Sequence, residues 1–296
     1  MTRPPVPNEN PSWRFSRPRW RTRPDKQTGP KYRLPRSMVL RAVWAVVRGR
    51  RRDLRRDAKE LMDGMKPQPI VTGVGNVPGS GSCVLLPNHY ERRTGVWVGW
   101  GAITITGALC RHRGPGAAIR WVMTSSWEDC YIGPRRIAPE HVQWVLRKLA
   151  SLYGIILMSP EPGRTQSRGH TLREIFHTLD DPRGHIVALH PEAGGFEELI
   201  EPPRGIGRVL AAIEERHVPM IPVAVFEERG RIRVHFGSPL PANCLGGRSD
   251  GEAAAAVMLT IARMVPAKMR GPYSETTATD DTTMGAGTAA EPAAPR

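Results

Sequence analysis

Residues 83–89 read CVLLPNH and residues 185–195 read HIVALHPEAGG. In each, a short apolar run is bounded by turn-forming residues, the pattern of a strand buried on both faces. Each run ends in a polar cluster, Asn88-His89 in the first and Pro191-Glu192 with the small residues Ala193, Gly194 and Gly195 in the second. The runs PIVTGV, IRWVM, GIILM, MIPVAVF and RIRVHFG on either side are further strands. Helical spacing fills the intervals near 95–110, 139–152, 168–179, 205–217 and 251–268. This alternation predicts an α/β fold with a mixed, largely parallel sheet flanked by helices.

The charge is unevenly placed. The 296 residues carry 43 Lys+Arg against 28 Asp+Glu, a net +15, but residues 1–66 hold 19 of the basic and 6 of the acidic residues. The rest is almost neutral, with 24 against 22. A basic arm on a neutral body, without a recognition motif, disfavours a nucleic-acid partner.

Residues 1–35 are rich in Pro and Arg, have no apolar period and are expected to be disordered. Residues 36–66 read as one amphipathic helix, with Leu40, Val43, Val47, Leu54, Ala58, Leu61 and Met65 recurring at three- and four-residue steps. Its bland reading is a face packed on its own domain. The alternative is an anionic membrane surface, met by Leu40 and Trp44 as apolar anchors and by Arg48, Arg51 and Arg52 as attractive charges. The α/β domain spans 67–272, and 273–296 is a second expected disordered tail.

Cys83, Cys110, Cys130 and Cys244 show neither CxxC pairing nor the spacing of a disulfide framework, which fits a reducing cytoplasm. The N-terminus lacks the apolar core of a signal peptide. The uncharged stretch 94–110 is broken by four glycines and reads as a buried helix rather than a membrane span. GVGNVPGSG is a turn and not a dinucleotide loop, because Pro78 interrupts it and a strand follows where a helix should begin. No metal site is read: the nine histidines form no HExxH, and His185 and His190 fall on opposite faces of one strand.

His89 and Glu192 are the informative pair. In α/β sheets, sites form where strands end, and a histidine there is suited to proton transfer near neutrality. As an ordinary strand exit it is a capping or hydrogen-bonded residue.

The order of motifs over roughly 67–241 resembles the glycerolipid acyltransferase family, of the bacterial 1-acylglycerol-3-phosphate acyltransferase type. VTGVGNVPGSGSCVLLPNH is similar to the family's opening strand, turn and second strand leading into Asn-His. HPEAGG stands where the family has Phe-Pro-Glu-Gly-Thr-Arg. PPRGIGRVLAA resembles its basic-Gly helix, MIPVAV its Val-Pro-Val strand and VHFGSPLP its closing Phe-Gly-x-Pro-Leu. The resemblance implies transfer of an acyl chain from acyl-CoA or acyl carrier protein to a hydroxyl of a lysophospholipid acceptor, with no bound cofactor. His89 is the general base by motif, and Asn88, Glu192, Ala193 and Gly194 shape the acceptor site. A peripheral location on the inner face of the cell membrane follows.

The chain also departs from the family. Thr94 stands where the family has an aspartate that orients the histidine, leaving Glu91 or Glu192 as candidate charge partners. Ser159 lies near the expected phosphate-binding arginine, so Arg164, Arg168 and Arg204 are the candidates for that contact. Gly195 replaces the arginine after Pro-Glu. Together these departures motivate the alternative of a catalytically silent relative that binds lipid or a partner enzyme at the membrane. The segment 111–140 lengthens the interval between His89 and Glu192 relative to the family.

Overall fold

The computed structural model describes residues 32, 34–90, 99–114, 118–125, 130–132, 135–158, 165–194 and 198–274, with the side chains of 130–136 and 165–168 outside that description. Nine strands and seven α-helices occur among the described residues. The strands are β1 (Ile70–Thr72), β2 (Cys83–Pro87), β3 (Ile119–Thr124), β4 (Cys130–Ile132), β5 (Arg135–Ile137), β6 (Ile156–Met158), β7 (Ile186–Ala188), β8 (Met220–Glu228) and β9 (Arg231–Phe236). The helices are α1 (Arg36–Val47), α2 (Leu54–Asp63), α3 (Trp100–Arg113), α4 (Pro139–Tyr153), α5 (Thr165–Leu179), α6 (Ile206–Glu214) and α7 (Asp250–Met264).

Seven strands form one sheet in the order β1-β9-β8-β2-β7-β3-β6. Every pairing is parallel except the β8–β9 hairpin. The fold is thus α/β with a mixed, largely parallel sheet. β4 and β5 form a separate antiparallel pair inside the 111–140 segment.

The central strand explains the layering. All five residues of β2 are buried, and alternation sends Cys83 and Leu85 to one face, Val84 and Leu86 to the other. The first pair packs with Ile105, Ala108 and Leu109 of α3, the second with apolar residues of α5, α6 and α7. α3 is apolar all round because it is covered twice, by the sheet and by α2, whose Leu61 and Met62 meet Ile103. Gly107 permits that contact, since a Cβ there would lie 3.0 Å from the Met62 sulfur.

The single helix expected over 36–66 is two helices. Gly49 turns the chain with φ +62°, and Asp53 then caps α2 by accepting from the Arg55 N–H at 2.9 Å. The apolar spacing continues across this break, so periodicity alone conceals it. The stripe is also split in destination. On α2, Ala58 and Leu61 are buried, whereas Leu40, Trp44 and Val47 on α1 are 69%, 55% and 71% exposed.

Candidate active site

β2 and β7 are adjacent and parallel, with Leu85 opposite Ala188, so the polar residues after each strand emerge side by side. β8 flanks β2 on its other edge, with Pro87 opposite Val223. The carboxyl end of the central strand therefore gathers groups from three strands.

Asn88 is buried and clamps the strand end to β8. Its Nδ2 donates to the Val225 carbonyl at 2.9 Å and its Oδ1 accepts from the Val225 N–H at 2.6 Å. Asn88, expected at the acceptor site, lines the cleft while its amide is bonded to this backbone pair.

His89 follows at the surface of a small cleft lined by Asn88, His89, Tyr90, Gly99, Gly101, Ala102, Ile105, His190 and Val225. The first turn of α3 opens onto the same cleft, and the leading N–H groups of a helix have no partner within it. Gly101 eases the close approach of α3 to β8, since a Cβ there would lie 3.0 Å from Val225 Cγ1.

His190 packs against His89. The ring centroids are 4.9 Å apart at 64°, and the other neighbour, Trp121, stacks on His190 at 5.5 Å and 28°. Trp121 is itself fixed by donating from Nε1 to Thr106 Oγ1 at 3.0 Å. His190 Nδ1 lies 3.1 Å from the Pro87 carbonyl. A carbonyl only accepts, so Nδ1 carries the proton of the neutral ring. Burial, with the neighbouring His89 as a second cause, pushes the His190 imidazole down to about 3 and keeps it uncharged near neutral pH.

Glu192 is buried, and both of its oxygens are held by main chain. Oε1 accepts from the His89 N–H at 2.5 Å and Oε2 from the Ile200 N–H at 3.1 Å. Burial outweighs these two donors and pushes the carboxyl up to about 8. As charge partner to the His89 ring, Glu192 is thus corrected: the bond between the two residues goes to the His89 backbone.

The remaining expected contacts are distributed differently. Ala193 adopts φ +54° and its N–H donates to the His190 carbonyl at 3.1 Å, closing a turn. Neither Ala193 nor Gly194 lines the cleft. Arg204 is exposed just before α6, also outside the cleft lining. The start of α6 already has an anion, because Asp250 of α7 accepts from the Gly205 and Arg208 N–H groups at 2.6 and 2.9 Å. Glu91, Thr94, Ser159, Arg164 and Gly195 lie outside the described residues, as does the side chain of Arg168.

Of the basic residues expected at a membrane, Arg48 and Arg51 are exposed. Arg52 is corrected: it turns inward onto Asp57 through two bonds of 2.7 and 2.6 Å, and Tyr153 of α4 donates to the same carboxylate at 2.9 Å. This latch ties the start of α2 to α4.

Sequence reading missed the contribution of His190 and of the α3 N-terminus to the cleft. The signal present was a histidine at the end of each of two apolar runs, and the Gly99-Gly101 pair at a helix start.

No protein-family model and no curated protein matches this chain. Among solved structures, the 1-acyl-sn-glycerophosphate acyltransferase PlsC from Thermotoga maritima matches with a TM-score of 0.42 and 16% identity, over 77% of this chain and 81% of that one. What the site does is read below from its own residues.

Proposed function

We propose that this chain is an O-acyltransferase that works at an anionic membrane surface and moves a fatty acyl chain from acyl-CoA or acyl carrier protein to a hydroxyl of a lysophospholipid. The observation that carries the proposal is the placement of His89: it sits at the carboxyl end of the central strand, on a cleft shared with the N-terminal turn of α3. A base and a set of backbone donors on one cleft are the two components acyl transfer from a thioester requires.

In this reading the acceptor hydroxyl gives its proton to the His89 imidazole as its oxygen attacks the thioester carbonyl carbon. The carbonyl oxygen gains negative charge, and the first-turn N–H groups of α3, at the positive end of the helix dipole, stabilise it. Collapse of the tetrahedral intermediate re-forms the carbonyl and breaks the carbon–sulfur bond. The leaving thiolate takes the proton back from His89, so the base is regenerated and the products are ester and thiol. No bound cofactor enters.

The exposed stripe of α1 supports the membrane part of the proposal. Val39, Leu40, Val43, Trp44 and Val47 face solvent, and Arg48 lies 4.0 Å over the Trp44 ring. An apolar face with an interfacial tryptophan and nearby arginines suits anionic lipid, which supports a peripheral position on the inner face of the cell membrane.

The test is thiol release from a panel of acyl donors, with lysophospholipids and anionic vesicles, for the wild type and His89→Ala. Acceptor-dependent release lost in the variant supports the proposal. Absence of release from the wild type with every donor, while vesicle binding persists, favours a silent lipid-binding relative. The engagement of both Glu192 oxygens by main chain, a purely structural use, is the observation that favours that second reading.

A further inference from the structure

We propose that His190 is a positioning residue for His89, a half-buried aromatic brace that holds the ring of the base in the orientation needed to face the cleft. The inference rests on the acyltransferase reading for its kinetic consequence, but the contact itself is a property of the fold.

Three fixed points define the brace. Pro87, the last residue of β2, accepts from His190 Nδ1 at 3.1 Å. Trp121 of β3 stacks on the ring and is anchored through Thr106 of α3. His89 meets it at a steep interplanar angle, with an edge of one ring against the face of the other. β2, β3, β7 and α3 thus all constrain one imidazole, and that imidazole touches His89.

The base gains positive charge during attack, so a neighbour that orients it must itself be neutral. A neutral, immobile aromatic ring supplies orientation without adding charge. His190 meets that requirement because desolvation of the ring outweighs its bond to Pro87 and keeps it uncharged, while that bond places the proton on Nδ1. A second imidazolium beside His89 would oppose the charge that the base acquires during attack.

Orientation acts on the chemical step rather than on binding, and small misplacements of a base are costly. His190→Phe keeps an aromatic face, whereas His190→Leu keeps similar bulk without one. The expected result is kcat within about 3-fold of wild type for His190→Phe and a fall of about 10- to 100-fold for His190→Leu, with KM within about 2-fold in both. In parallel, the aromatic carbon–proton NMR signal of His89, assigned by its loss in His89→Gln, should stay sharp and ring-current shifted in wild type and His190→Phe. In His190→Leu it should broaden and move toward the position of a free imidazole. Matched cooperative unfolding of the three proteins separates this from misfolding.

Wild-type kcat in His190→Leu with an unmoved His89 signal would overturn the proposal. So would equal kcat losses in both variants with unmoved signals, since His190 would then act through its nitrogen rather than as a brace. If the wild type transfers no acyl chain, the functional reading fails, and the NMR comparison still decides the brace.

Discussion

Asn88 and Glu192 show how single polar side chains build this site from main chain. Asn88→Ala would leave the Val225 N–H and carbonyl without their side-chain partners in a buried strand end. The expected loss is roughly 2–4 kcal/mol in urea unfolding. Glu192 has the opposite logic, because its folded pKa of about 8 lies above the ordinary value of 4.5. The folded state therefore binds a proton that the unfolded state has released between those values, and its stability falls as pH rises through that window. Thermal melts of Glu192→Gln should lose this slope while the wild type shows a declining Tm from about pH 5 to pH 8; equal slopes would contradict the assignment. Neither role was legible in the sequence. Asn88 and Glu192 stand out as motif residues, but both act by bonding to backbone more than 5 residues away, and those partners exist only once the strands pair.

Elements were legible where burial is uniform and obscure where caps decide. β2 and β7 read as strands because both faces are covered, so the apolar run is unbroken. The joint between α1 and α2 did not, because apolar spacing continues through Gly49 and only the Asp53 cap marks a new helix. Arg52 looked like a membrane contact because what turns it inward is Asp57, whose carboxylate is also held by Tyr153, a residue remote in the chain. The packing of α6 on α7 gives a direct test of an element junction. Asp250→Ala removes the anion that caps α6, at an expected cost of about 1–2 kcal/mol. Gly207→Ala should cost more, at least ~2 kcal/mol, since its Cβ would fall 1.9 Å from the Asp250 carbonyl oxygen. Unfolding midpoints in which Gly207→Ala equals wild type would contradict this packing.

At the scale of the whole molecule, the nearly neutral body carries the site and the basic N-terminal region carries most of the charge excess. α1 buries only Met38 and Ala45, so its apolar stripe contributes little to folding. Leu40→Asp with Trp44→Asp should leave Tm within about 2 °C of wild type and abolish sedimentation with anionic vesicles, and the wild-type binding should weaken with salt. A large Tm loss in that variant would instead assign the stripe to the protein's own core. The central claim concerns His89 at the end of β2, and the most direct measurement is the mass of the lipid product. Wild type incubated with labelled acyl donor, lysophospholipid and anionic vesicles should yield one labelled diacyl product per thiol released, and His89→Gln should yield none while folding and binding vesicles normally. Equal product from both proteins would contradict His89 as the base, whatever the donor.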